Sequence, residues 1–334
     1  MRMYRRRLMI ANALKRSDGN INYPGLIAAW SAKGKTNDDE DRAILKDLTG
    51  NGHDITLNGF SFSGMSGYGG YNFINHNGKT VLNDVTNWQT LIETHTNKKV
   101  KFKISGIQSM KDSTNNTEGI NVVKFTEDND IAYLTKLDKD GEYELQSEYG
   151  FRLRCNGAPI QEGKHNEIII EEIPEYKGAL VFDGVDDYVS LDAFDSGFKT
   201  VFIECSYVSL NTILYDQRKV GTEQEDCINT STYEAGFYGR NRYGKTYING
   251  VYNKPDSTLI AGKLSNKHIL ITSIFKGDYT STPCIASSNV NKGMYCNMAL
   301  YKFLGFKEAL TEEQIQAVIK KYNLLDGVDE IEIS

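Results

Sequence analysis

The chain has 334 residues, with 30 Gly, 5 Pro, 20 Tyr and 14 Phe; that length holds about two or three domains with cores of their own, and the aromatic weighting favours pleated sheet. A formal net charge of −6 leaves no overall basic field for a polyanion, so no nucleic-acid partner is expected for the chain as a whole. No stretch approaches the 18 or so apolar residues of a spanning helix, so no membrane insertion is expected, and Cys155, Cys205, Cys227, Cys284 and Cys296 form no C-x-x-C pair that would suggest structural zinc or a disulfide framework.

Residues 1–20 are a basic N-terminal arm. Its Leu8-Met9-Ile10-Ala11 run is broken by Asn12 and closed by Lys15-Arg16, too short for an export signal. Arg2, Tyr4, Arg5, Arg6 and Arg7 offer guanidinium forks beside apolar side chains, the composition of an anchor onto a partner protein. Residues 25–31 read as a buried strand, residues 33–42 as a solvated loop, and the Gly- and Asx-rich 47–54 as consecutive turns before a strand at 55–60. From 76 to 175 the runs VKFKISGI, INVVKFT, DIAYLTKL, GEYELQ, FRLRC and NEIIIEEI alternate in polarity between Asn, Asp and Gly, the texture of a small all-β sandwich. Asp140-Gly141 reads as a hairpin turn.

Further strands are expected at 179–191, 201–208, 245–252, 268–275 and 297–303, with Asn249-Gly250 as a type I′ turn. One helix is evident. Thr311 and Gln314 fit a capping box, and Ile315, Val318, Ile319 and Tyr322 make one apolar stripe ending near Asn323. Residues 326–334 form an acidic tail.

Most catalytic motifs fail on context. Gly239 to Thr246 satisfies G-x-x-x-x-G-K-[ST], but the following Tyr247-Ile248-Asn249-Gly250 reads as strand and turn where a phosphate cradle needs a helix. The histidines form no H-E-x-x-H pair and no G-x-S-x-G elbow occurs. Asp183, Asp186 and Asp187 offer oxygens that calcium takes, yet Asp-Gly-x-Asp also sets a tight turn through Asx bonds; the turn is preferred and no cofactor is expected. Asp138 to Gly141 is not a calcium loop, because Tyr149 stands where the bidentate glutamate belongs. Tyr238, Arg240, Arg242 and Tyr243 interleave rings and guanidinium groups in one turn, a surface suited to sugar stacking or to a protein contact, with a solvated hairpin tip as the plain alternative.

Three stretches, PGLIAAWS with DLTGNGHDITLNG, ALVFDGVDDYVSL, and MALYKFLGFKEALTEEQIQAVIKKYNL, resemble the opening strand, the signature strand and the closing strand-plus-helix of concanavalin A-like lectin/glucanase domains of the laminin-G type. That resemblance implies an all-β fold: a jelly-roll sandwich over 21–75 and 176–325, a small β-domain inserted at 76–175, and one C-terminal helix. The E-x-D-x-x-E motif of the family's glucanase branch is absent, which argues against a glycosidase carboxylate pair, so no catalytic residue is expected. The leader MRMYRRRLM and the passage from RCNGAPI to FDGVDDYV resemble uncharacterised proteins of phages and prophages of gut bacteria. Together these imply a non-enzymatic virion structural or decoration protein, head fibre or tail-associated, made in the host cytoplasm. Its expected partners are other capsid or tail proteins, copies of itself, and host surface glycans. A bacterial surface lectin is the alternative, and a glycoside hydrolase ranks last.

Overall fold

A computed structural model describes residues 23–74, 76–86, 88–114, 118–155, 158–191, 197–218, 227–230, 244–253, 261–275, 283–287 and 294–331. The architecture is predominantly β, with several sheets in sandwich-like packings and a few short helices. The chain divides into two compact units, one from 1–35, 39–60 and 178–334, the other from 36–38 and 61–177.

In the first unit the ten-residue strand Asn297–Phe306 is the organiser. Thr200–Tyr207 pairs along one edge, while the other edge takes Leu180–Asp183 on its first half and Leu26–Ser31 on its second. Beyond Thr200–Tyr207 the sheet continues through Ile269–Ile274, Lys245–Ile248 and Val251–Asn253. The second sheet of this unit runs Cys227–Asn229, Ile213–Asp216, Cys284–Ile285, Tyr188–Ser190, Ile55–Asn58 and Ile44–Leu45. The sheets meet through rings: Phe303 on the first lies 5.6 Å from Tyr215 on the second, with Trp30 and Phe198 at 5.3 and 5.7 Å from the same ring.

The outer face of the first sheet is also covered. Thr200–Tyr207 is buried at every position, which a strand achieves only with packing on both sides. Phe202, Leu270, Leu304 and Phe306 carry Ile315, Val318 and Ile319 of the helix Glu312–Tyr322. The capping box at Thr311 and Gln314 is formed, and Asn323 closes the helix with φ 49°. Removing the hydroxyl orphans an amide at the first turn, so Thr311→Ala is expected to cost about 1 kcal/mol, seen as a lower denaturation midpoint that Thr311→Ser restores.

The second unit is a pair of four-stranded sheets. One runs Gly141–Leu145, Val100–Ser105, Glu167–Glu172 and Lys79–Asn83; the other runs Thr90–Thr94, Phe151–Cys155, Ile120–Phe125 and Ile131–Leu137. Their inward residues, among them Phe73, Phe102, Ile104, Val122, Phe151, Leu153 and Ile170, form one core.

Three expectations need correction. Asp140-Gly141 is not a hairpin turn, because the strands on either side of it pair with different sheets. The Asp140 carboxylate instead accepts the amides of Gly106 and Ile107 and caps the helix Ile107–Thr114. That helix and the short Ala261–Leu264 add to the one helix expected. Within 33–42, Asn37 is not solvated: it is buried, accepts the amide of Tyr68 and donates to the carbonyl of Tyr68.

Candidate functional site

The turn through Asp183, Asp186 and Asp187 joins the two sheets of the first unit, since Leu180–Asp183 belongs to one and Tyr188–Ser190 to the other. Asp187 is fully buried and accepts the amide of Asp183; Asp183 accepts the amide of Val185, and Gly184 sits at φ 81°. Carboxylate oxygens of all three acids lie within 4.8 Å of one another. They could supply three hard ligands to a cation such as calcium, but the Asx bonds account for the geometry of the turn by themselves.

On the outer face of the first sheet, beside the start of the helix Glu312–Tyr322, lies a cavity of about 860 Å³. Tyr247, Ile274 and Phe275 form apolar wall, Lys199, Lys245 and Lys307 bring ammonium groups, and Glu308, Glu312 and Glu313 bring carboxylates. The Glu313 carboxyl is held below its usual range by its own backbone amide and the Thr311 hydroxyl. Equal numbers of both signs give this groove polar grip without a net field.

A third cluster lies on the same sheet. Glu204, 7 % exposed, is flanked by His268 Nε2 at 3.1 Å from one oxygen and Lys302 Nζ at 3.4 Å from the other. The imidazole stacks on Tyr301 with centroids 3.9 Å apart, and the His268 amide donates to Asp329. Here a buried carboxylate is met by the Lys302 ammonium and by an imidazole nitrogen of His268, the partnering that burial of charge demands. Nothing in the strand pattern announced this cluster beyond three ionisable residues interrupting apolar runs.

All five cysteines are buried, and none is joined to another by a disulfide. Burial drives the Cys205 and Cys284 thiols far up and that of Cys296 to about 12, which removes these three as thiolate nucleophiles. The residues singled out by sequence fare differently. Tyr238, Arg240, Arg242 and Tyr243 lie outside the described residues, as do Arg2, Tyr4, Arg5, Arg6 and Arg7. Gly244, next in sequence after Tyr243, is on the groove wall and leads into the strand Lys245–Ile248, not into a helix, so the phosphate-loop pattern lacks its structural context. No family model, curated protein or solved structure matches the chain.

Proposed function

We propose that this chain is a non-enzymatic bacteriophage virion protein, a head fibre or tail-associated adhesin, whose first unit is a concanavalin A-like sandwich of the laminin-G type. In this reading the arm at 1–20 binds another virion protein and the sandwich presents a surface to host glycans. The supporting observation is the convergence of the three resembling stretches on one strand: Leu26–Ser31 and Leu180–Asp183 both pair with Asn297–Phe306, which leads into the closing helix. Those stretches are separated by more than a hundred residues of chain, so their meeting in one sheet is a long-range property that local pattern does not impose. A basic arm rich in arginine adds bidentate donors for an acidic patch on a larger particle.

Purified intact particles should contain the chain at a fixed copy number. Deleting residues 1–16, or replacing Arg2, Arg5, Arg6 and Arg7 with Glu, should abolish incorporation while the β-rich circular dichroism spectrum stays unchanged. Particles that lack the wild-type chain would overturn the reading; undiminished incorporation of the deletion variant would remove the arm as the anchor.

A further inference from the structure

The outward face of the second unit's sheet carries an aromatic and guanidinium platform. Trp88 is 54 % exposed, unusual for the largest apolar side chain, and it sits at φ 55°, a left-handed conformation that bulky residues rarely adopt without a compensating reason. Around it, Gln89 donates its amide to the Thr86 carbonyl, the Thr86 hydroxyl donates to the Ala158 carbonyl, and the Gln89 carbonyl accepts from the Cys155 amide. Arg154 lies 5.3 Å from the indole centroid and its Nε donates to the Trp88 carbonyl at 3.3 Å. Among the described residues no carboxylate pairs with the Arg154 guanidinium. Its neighbour on the same strand face, Arg152, is neutralised by Glu93.

Across the sheet, Arg154 is opposite Asn121, and Arg152 is opposite Val123, which in turn is opposite Tyr133. Tyr133 is 64 % exposed and stands two strands from Arg152, about 10 Å away. The face thus offers two exposed rings, with Arg154, Arg152, Asn121 and Val123 on the strands between them. Tyr133 has the exposed Ile131 beside it on the same strand face, but Trp88 stands next to Arg154 and Gln89, and a ring set among polar groups matches a pyranose, which is apolar on its faces and polar at its rim. The uncompensated fork of Arg154 beside the indole adds a preference for a carboxylate.

We infer that Trp88 and Arg154 form a binding site for an acidic saccharide, the sugar ring stacking on the indole and its carboxylate taking the guanidinium. The inference rests on the adhesin reading and moves a glycan contact onto the second unit. It is tested on the full-length chain with an oligoglucuronate tetrasaccharide and its carboxyl-reduced neutral twin. Trp30 is buried, so acrylamide quenching reports on Trp88. The acidic sugar should shield Trp88, and calorimetry should show the neutral twin binding at least about tenfold more weakly, with a similar loss for Trp88→Ala. Trp88→Phe should keep part of the affinity, and Arg154→Gln should erase the preference for the acid. Unchanged affinity in Trp88→Ala, equal affinity for both sugars, or no binding at millimolar concentration would overturn the site. Particle incorporation, measured without any sugar, judges the virion reading separately.

Discussion

Gly106→Ala is expected to destabilise the second unit by about 4 kcal/mol or more, at the upper end of what one methyl group does. Gly106 joins the strand Val100–Ser105 to the helix Ile107–Thr114 at φ 94°. A Cβ there would fall 1.9 Å from the carbonyl oxygen of Glu167 and 3.0 Å from its carbon. That carbonyl cannot withdraw, because Glu167 begins the central strand Glu167–Glu172, held on both sides by pairing. Nor can Gly106 move freely, since its amide donates to Asp140 and its carbonyl accepts from Met110; shifting it breaks the helix start. Gly163 is the control. At φ 70° with nothing within 4 Å of its would-be Cβ, its change to Ala carries only the left-handed penalty of about 1–2 kcal/mol. Urea midpoints of the two variants should differ accordingly, with amide exchange at 100–105 and 167–172 accelerated only for Gly106→Ala. Equal losses would show that the close approach to Glu167 is relieved by backbone movement.

What the sequence made legible was what is encoded locally. Asn249-Gly250 joins two paired strands with φ values of 50° and 80°, because those two residues tolerate that geometry wherever they occur. The capping box at Thr311 is equally local, its hydrogen bonds reaching only three residues. Asp140-Gly141 carries a similar local signal, and there it misled, since the carboxylate was used 33 residues away to cap a helix. The helix itself, Ile107–Thr114, shows only Ile107 and Met110 as apolar buried positions, and its last turn is made by Ser113 and Thr114 bonding back to the Met110 carbonyl. Such a stripe has no periodicity to read. The same limit hides Trp88: a single aromatic between Asn and Gln looks like any loop residue until the fold brings Arg154 beneath it. It also hides Glu204, whose partners come from elsewhere in the chain, His268 just ahead of the strand Ile269–Ile274 and Lys302 within Asn297–Phe306.

The pH dependence of the second unit should turn on Glu172. This carboxyl is 5 % exposed; one oxygen accepts the amide of Asn72 at 2.6 Å and the other that of Phe73 at 3.1 Å. Burial pushes its pKa up to about 7, against the pull of those two amides, with nearby Glu175 adding to the rise. A carboxyl raised in the folded state binds a proton that the unfolded chain has already released, so its contribution is full below about pH 4.5 and is lost as pH rises through about 7. The stake is roughly 3 kcal/mol. His76 works in the opposite direction: it is buried, and burial lowers its pKa below the usual value, so its contribution is lost on acidification below about pH 6.5. Below about pH 6.5 the two slopes oppose each other, leaving the Glu172 loss visible between about 6.5 and 7.5. Glu172→Gln removes one slope and exposes the other. Gln also turns a donor toward one of the two amides, so the absolute stability of the variant is not diagnostic, whereas its pH profile is. Denaturation midpoints across pH 5 to 8 should fall through neutrality for the wild-type chain. For Glu172→Gln they should stay level there and fall only on the acid side. A variant that retains the wild-type loss near pH 7 would assign that titration to another group.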